Sequence, residues 1–194
     1  QAKTGAQLDQ KNRAFVSAVM GAGKTSMFYS DAMIAIKNGK AKRPAVVMPT
    51  NTVEQQVDEL KHKFGDYVNI IGLTNQSFRK MGKGDERFET LKKLIIEAPP
   101  NTIVLVAYEW LSLEPESYDT GKTRKNKTPM MAKRYTRGTF LTDECGVDMV
   151  ILDECHRIKN IDTARAKATM ALSSAPVKRV GSGTLFPNTP DDVV

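Results

Sequence analysis

The sequence predicts an α/β fold, a parallel sheet sandwiched by helices, and three observations predict it. Short apolar runs alternate with amphipathic stretches along the chain. Several of these runs are almost wholly apolar, as strands covered on both faces are. The chain has 194 residues, which suits one domain with a full hydrophobic core.

The elements follow in order. Residues 14–19 form the first expected strand and lead through a glycine-rich turn to a helix at 25–37. A strand at 45–48 precedes a helix at 52–64, and a third strand is expected at 68–71. The helix expected at 85–98 carries Asp85, Glu86 and Glu89 early and Lys92 and Lys93 late, which complements the helix dipole. The apolar run 102–106 is the next strand. Residues 114–137 break the rhythm: they are polar, basic and long for a connection, and read as a loop. Residues 139–142 read as a weak strand. Residues 149–152 form a buried strand, 163–173 a helix and 177–180 the closing strand. No internal repeat is visible. The reading is one domain over 1–194 with a basic insertion at about 113–140.

Composition narrows the function classes. Hydrophobic residues make up 40% and charged residues 26%, ordinary values for a soluble globular protein. No apolar run is long enough to cross a bilayer, so no membrane partner is expected. The polar start, Gln1 to Gln10, does not resemble a signal peptide, and its lack of a starting Met suggests an excised or processed fragment. Only Cys145 and Cys155 occur, which is no disulfide framework. A reducing compartment is expected, cytoplasmic or, in a eukaryote, nuclear, and not secreted. The net charge is +7, and Lys122, Arg124, Lys125, Lys127, Lys133, Arg134 and Arg137 fall between Gly121 and Gly138 with no acid among them. Such a segment points to a polyanionic partner or, more plainly, to a solvated loop.

Two motifs supply chemistry. Ala18-Val19-Met20-Gly21-Ala22-Gly23-Lys24-Thr25 matches the Walker A pattern with Ala for the first Gly, between a strand and a helix. Gly21 and Gly23 let the backbone approach phosphate oxygens. The amides from Ala22 to Thr25 point at the anion from a helix N-terminus, with Ser26 next in line. Lys24 suits the β- and γ-phosphates of ATP, and the Thr25 hydroxyl suits Mg²⁺. This is a phosphate-loop NTPase site. The letters Gly121-Lys122-Thr123 have no preceding strand and no second Gly, and read as part of the basic segment.

The second motif is Met149-Val150-Ile151-Leu152-Asp153-Glu154-Cys155-His156, a strand ending in two carboxylates. In a parallel sheet ligands bind beyond the carboxyl ends of strands, where the phosphate loop also lies. Asp153 suits Mg²⁺ and Glu154 suits the general base that polarises water. Asp143-Glu144-Cys145 repeats the letters after the weaker strand and is set aside. A zinc site from Cys145, Cys155 and His156 offers three ligands where structural zinc takes four.

With these residues in view, the chain resembles the superfamily-two helicases and, within them, the Swi/Snf-type ATPases. Met20 to Thr25 is similar to motif I, and Val46-Val47-Met48-Pro49-Thr50 to motif Ia. Val104-Leu105-Val106-Ala107-Tyr108-Glu109 resembles their strand ending in Tyr-Glu. Asp153-Glu154-Cys155-His156-Arg157-Ile158-Lys159-Asn160 resembles motif II with Cys for Ala, and Gly181-Ser182-Gly183-Thr184-Leu185-Phe186-Pro187-Asn188 resembles motif III. The resemblance implies the first RecA-like lobe of a nucleic-acid-dependent ATPase, with a second lobe beyond this chain. It implies that His156, Ser182, Gly183 and Thr184 couple hydrolysis to strand contact, and that Pro49 and Thr50 approach the nucleic-acid backbone. Ser182 and Leu185 depart from motif III, and Gln7 and Gln10 are both candidates for adenine recognition.

The leading function is therefore an ATP hydrolase that moves along duplex DNA, with Lys122, Arg124, Lys125 and Lys127 as added nucleic-acid contacts. An unwinding helicase on DNA or RNA is an alternative within the class. A nucleotide-binding scaffold without turnover is an alternative outside it, and intact Lys24, Thr25, Asp153 and Glu154 weigh against that. A small-molecule kinase would not carry the block from Gly181 to Asn188.

Overall fold

The computed structural model describes residues 12–17, 24–65, 67–123 and 129–182. Strand β1 (Arg13–Ser17) leads to helix α1 (Lys24–Lys37), β2 (Pro44–Met48) to α2 (Thr50–Phe64), and β3 (Asn69–Leu73) to α3 (Asn75–Arg79) and α4 (Glu86–Ile96). Strand β4 (Thr102–Ala107) runs into one helical turn, α5 (Tyr108–Leu111), and then into β5 (Glu116–Thr123) and β6 (Pro129–Arg134). Helix α6 (Arg137–Thr139) widens into a π-helical turn (Phe140–Glu144). Strand β7 (Met149–Leu152), a 3-10 turn (Cys155–Ile158), α7 (Ala164–Met170) and β8 (Val177–Ser182) complete the described chain.

Six strands form one sheet in the order β1-β8-β7-β2-β4-β3, and every neighbouring pair is parallel. Right-handed crossovers place α1 and α2 on one face and the later helices on the other. The central strands β2 and β4 are buried at every position, which is why their sequences are apolar runs and not alternations. Apart from the weak strand at 139–142, the expected strands and long helices are present, with ends displaced by no more than three residues. Ala18 and Val19, expected to finish β1, lie outside the described residues.

Two expectations are overturned. Residues 139–142 are helical, not a strand: Phe140 and Leu141 are buried side by side, and the Thr142 hydroxyl donates back to the carbonyls of Gly138 and Thr139. A short apolar run has no periodicity to separate the two cases. The basic loop is also no loop. β5 and β6 pair antiparallel, from Glu116 opposite Arg134 to Thr123 opposite Pro129, as a two-stranded sheet of their own.

Arg137 departs from its basic neighbours. It is 3% exposed, and its guanidinium lies 4.9 Å from the Trp110 ring, 5.0 Å from Phe78 and 5.8 Å from Phe88. It donates to the Trp110 carbonyl at 3.1 Å and pairs with Glu114. Burial lowers its pKa, and the nearby Glu114 charge opposes the shift. A guanidinium stacks on aromatic faces and loses little hydration in doing so, so its aromatic setting is favourable. Gly181 has a packing reason of its own: a Cβ there would lie 2.1 Å from the Phe28 ring of α1.

Candidate nucleotide site

The site forms where the carboxyl ends of the strands meet the first turn of α1. Asp153 follows β7 directly, and the sheet holds its backbone: its N–H donates to the Val47 carbonyl at 2.9 Å. Its own carbonyl accepts from the buried Tyr108 hydroxyl at 2.9 Å. Burial, with help from nearby acidic groups, raises the Tyr108 pKa far beyond the ordinary phenol range, so it remains a donor. Carboxylate oxygen Oδ1 accepts from the Glu154 N–H at 2.9 Å. Oδ2 accepts from the Thr25 hydroxyl at 3.0 Å, across 128 residues of sequence. The Walker A hydroxyl and the strand-end carboxylate are thus in contact, with Asp153 only 3% exposed.

Glu154 has φ 52° and ψ 48°, a left-handed conformation that costs a non-glycine residue about 1–2 kcal/mol. Strain of this kind gathers at functional sites, where the surroundings hold it in place. The turn carries the chain from β7 into Cys155–Ile158. There His156 Nδ1 lies 3.2 Å from the Glu154 carboxylate and 3.3 Å from the Ser182 hydroxyl. The parallel register of β7 beside β8 delivers this contact, since Leu152 is opposite Val180 and Ser182 sits two residues further on. Cys155 is partly buried, and burial followed by the Glu154 charge raises its thiol pKa.

A second network surrounds Glu109. Its carboxylate accepts from the Thr50 N–H at 3.1 Å and the Thr50 hydroxyl at 2.9 Å, and from Arg165 at 3.1 Å. Burial is the largest single influence on Glu109 and raises its pKa, but its backbone and side-chain hydrogen bonds with the Arg165 charge outweigh it, and the net shift is downward. Pro49 is the N-cap of α2 and offers no side-chain hydrogen bond, so Glu109 does that work from α5, the turn that follows β4. Both donors of Thr50 are therefore aimed into the protein.

The structure joins Thr25, Asp153, Glu154, His156 and Ser182 in one cluster. Lys24 opens α1, and Ser26 is exposed one residue beyond Thr25. Gly21, Ala22, Gly23, Gly183 and Thr184 lie outside the described residues, as do Arg124, Lys125 and Lys127. Lys122 is exposed on β5, remote in sequence from the cluster. Asp143 accepts from Thr142 and Ser174, and Glu144 pairs with Lys92, so the second acidic pair is engaged elsewhere. Sequence reasoning misses three participants. Tyr108 and Glu109 stand out in sequence only as a strand end, and Arg165 gives no signal apart from its place on an expected helix.

Asp153 and Thr25 fit a magnesium ion carried with ATP: both offer hard oxygen donors, and they already converge within 3.0 Å. Among the described residues no group of three or more His, Cys, Asp or Glu is placed to hold a metal ion. Among the same residues no helix is long and apolar enough to cross a membrane.

Comparison with known proteins follows the same line. The SWI2/SNF2 ATPase core of Sulfolobus solfataricus, solved in complex with double-stranded DNA, superposes with a TM-score of 0.62 at 20% identity over 98% of this chain. The UvsW helicase of bacteriophage T4 superposes with a TM-score of 0.53 at 14% identity, again over 98%. The chain spans 32% of the first structure and 54% of the second. These likenesses show the fold, a RecA-like α/β lobe, and nothing beyond it. No curated protein matches the chain. A sequence family does, over residues 2–180, and this chain belongs to it: the type III restriction enzyme, res subunit.

Proposed function

We propose that this chain is the ATP-binding lobe of a nucleic-acid-dependent ATPase that translocates on duplex DNA, acting with a second lobe. The observation that supports it best is the Thr25–Asp153 contact with Glu154 held beside it in a strained turn. The domain is read as one lobe with the β5–β6 hairpin as its insertion.

In this reading Lys24 and the amides around it bind the phosphates of ATP. A magnesium ion bound with ATP would supply positive charge that offsets the charge of the phosphates. Asp153 and Thr25 would hold that ion, which requires the Asp153 carboxylate to be ionised. Glu154 lies at the rim, near enough to His156 for its carboxylate to be oriented, and takes the proton of the attacking water. His156 then reports the state of that carboxylate to Ser182 on β8, at the entrance to the motif III block. The nucleic-acid partner is supported by the family and by the fold shared with an ATPase core solved on double-stranded DNA.

The test uses the full-length protein. Lys24→Ala is expected to abolish most Mg-ATP binding in calorimetry. Glu154→Gln is expected to bind ATP normally and lose DNA-stimulated hydrolysis by at least about 10²-fold, the scale of a general base. Equal ATP affinity in wild type and Lys24→Ala would remove the phosphate-loop assignment.

A further inference from the structure

We propose that the cleft between α1 and α2 binds an amino-substituted nitrogen heterocycle, a ring of the cytosine or adenine kind, with the Tyr29 hydroxyl as the donor at its floor. The inference goes beyond the ATPase reading and does not rest on it, since the residues that would hold the ring are not those assigned to phosphate or magnesium.

An unspent hydrogen-bonding group marks the site. Tyr29 lies one turn along α1 from Thr25 and is 5% exposed. Its hydroxyl is buried and has no hydrogen-bond partner among the described residues. A buried donor in that state destabilises the free protein, and phenylalanine would fill the same space without the cost. Burial, then the charges of Asp153 and Glu59, raises the phenol pKa beyond its ordinary range, so the hydroxyl keeps its proton.

The cleft that Tyr29 lines has a volume of about 450 Å³, within the range of small-ligand sites. Met33 and Ile34 of α1 and Leu60 and Phe64 of α2 give it apolar walls. Phe64 is 40% exposed and leaves apolar ring surface at the mouth.

The α2 wall supplies acceptors. Glu59 is fixed at both carboxylate oxygens, Oε2 by the Gln56 amide at 2.8 Å and Oε1 by the Lys63 ammonium. The bond to Lys63 and its charge hold the Glu59 pKa below the ordinary carboxylate value, so Glu59 remains an acceptor. Gln56 spends its amide N–H on Glu59 and keeps a carbonyl oxygen with no partner among the described residues. Lys63 also balances the Glu59 charge, which matches a neutral ligand better than an ion.

The ligand therefore offers an acceptor to Tyr29 and, beside it, a donor to Gln56 or Glu59, on a flat and largely apolar body. Cytosine does so with N3 and its exocyclic amine, and adenine with a ring nitrogen and its amine. Uracil presents the reverse order, N3–H beside a carbonyl oxygen.

Calorimetry on the full-length protein tests this with cytidine, which carries no phosphate, and with uridine, its near-isostere of reversed edge. Cytidine is expected to bind, and uridine to bind about tenfold more weakly or not at all. Tyr29→Phe is expected to weaken cytidine binding about tenfold while the Tm of the free protein stays the same or rises. Lys24→Ala is expected to bind cytidine as the wild type does, which separates this site from the phosphate-loop assignment. A free nucleoside and a base on a strand present the same ring. A short oligodeoxycytidylate that displaces cytidine at a lower base concentration than the nucleoside assigns a strand, and one that does no better assigns the free ligand. Equal cytidine affinity in wild type and Tyr29→Phe, equal affinity for cytidine and uridine, or no binding of cytidine or adenosine by the wild type would each overturn the site. A lower Tm in Tyr29→Phe would overturn it too, because the hydroxyl would then already have a partner in the free protein.

Discussion

Glu154 shows how one residue carries both a cost and a role. Its left-handed backbone is what turns the chain from β7 into the Cys155–Ile158 turn and sets its carboxylate 3.2 Å from His156. Glycine adopts that conformation without the Cβ clash. Glu154→Gly is therefore expected to leave folding stability unchanged or to raise it by up to about 1–2 kcal/mol, while hydrolysis is lost. Urea denaturation and an ATPase assay on the same preparation check this. A clear loss of stability would mean that the side chain's interaction with His156 outweighs the strain. Asp153 beside it is the opposite case. Every polar atom described for it is engaged, by Val47, Tyr108, Glu154 and Thr25, so its position is over-determined and the turn is imposed on Glu154.

Among the elements, α2, α5 and α7 meet at Glu109. Its carboxylate caps α2 through Thr50 and holds α7 through Arg165, so it ties the motif Ia turn to the helix that follows motif II. The lowered pKa gives the sign of the pH dependence. A carboxylate whose folded pKa lies below its unfolded value adds stability that is fully present above the unfolded value, near 4.5, and is lost as pH falls through the folded one. Glu109→Gln is thus expected to be less stable than wild type at neutral pH, with the difference shrinking as pH falls below 4.5. Denaturant midpoints at neutral pH and in acid measure it. A gap that stays constant into acid would show that the ionised carboxylate is not what joins these elements. Cys145, just after the π turn, is pushed up to about 12 by burial and the Glu144 charge, which keeps it a buried thiol.

At the scale of the whole lobe, the two helical faces are not equivalent. α1 lies against the sheet and is fastened to β8 by a fully buried ion pair, Arg179 Nε to Asp31 Oδ2 at 2.8 Å. That pair connects the helix opening at the phosphate loop to the strand that brings Ser182 to His156. Removing one partner strands a buried charge, so Asp31→Ala is expected to cost about 3–5 kcal/mol. The apolar double substitution Asp31→Leu with Arg179→Met is expected to cost much less. Denaturant unfolding of both variants decides the matter. A single substitution as mild as the double would show that the pair does not hold the layers in register.

The sequence by itself determined the sheet, its parallel sense, the long helices and the central pair of the site. Apolar runs such as 45–48 and 103–106 have one sensible place, the middle of a covered sheet, and Thr25, on the helix after β1, and Asp153, just after β7, follow strands whose ends such a sheet brings to one edge. The tertiary structure alone decided the rest, and the reason is range. Whether 139–142 was strand or helix depended on what Phe140 packed against, and it packs edge-on against Phe88 at 5.1 Å from an element far away in sequence. The basic segment showed seven like charges and no apolar alternation, so nothing local marked its strands or set Arg137 apart. The three aromatic rings that hold Arg137 come from three separate helices, and only folding assembles them.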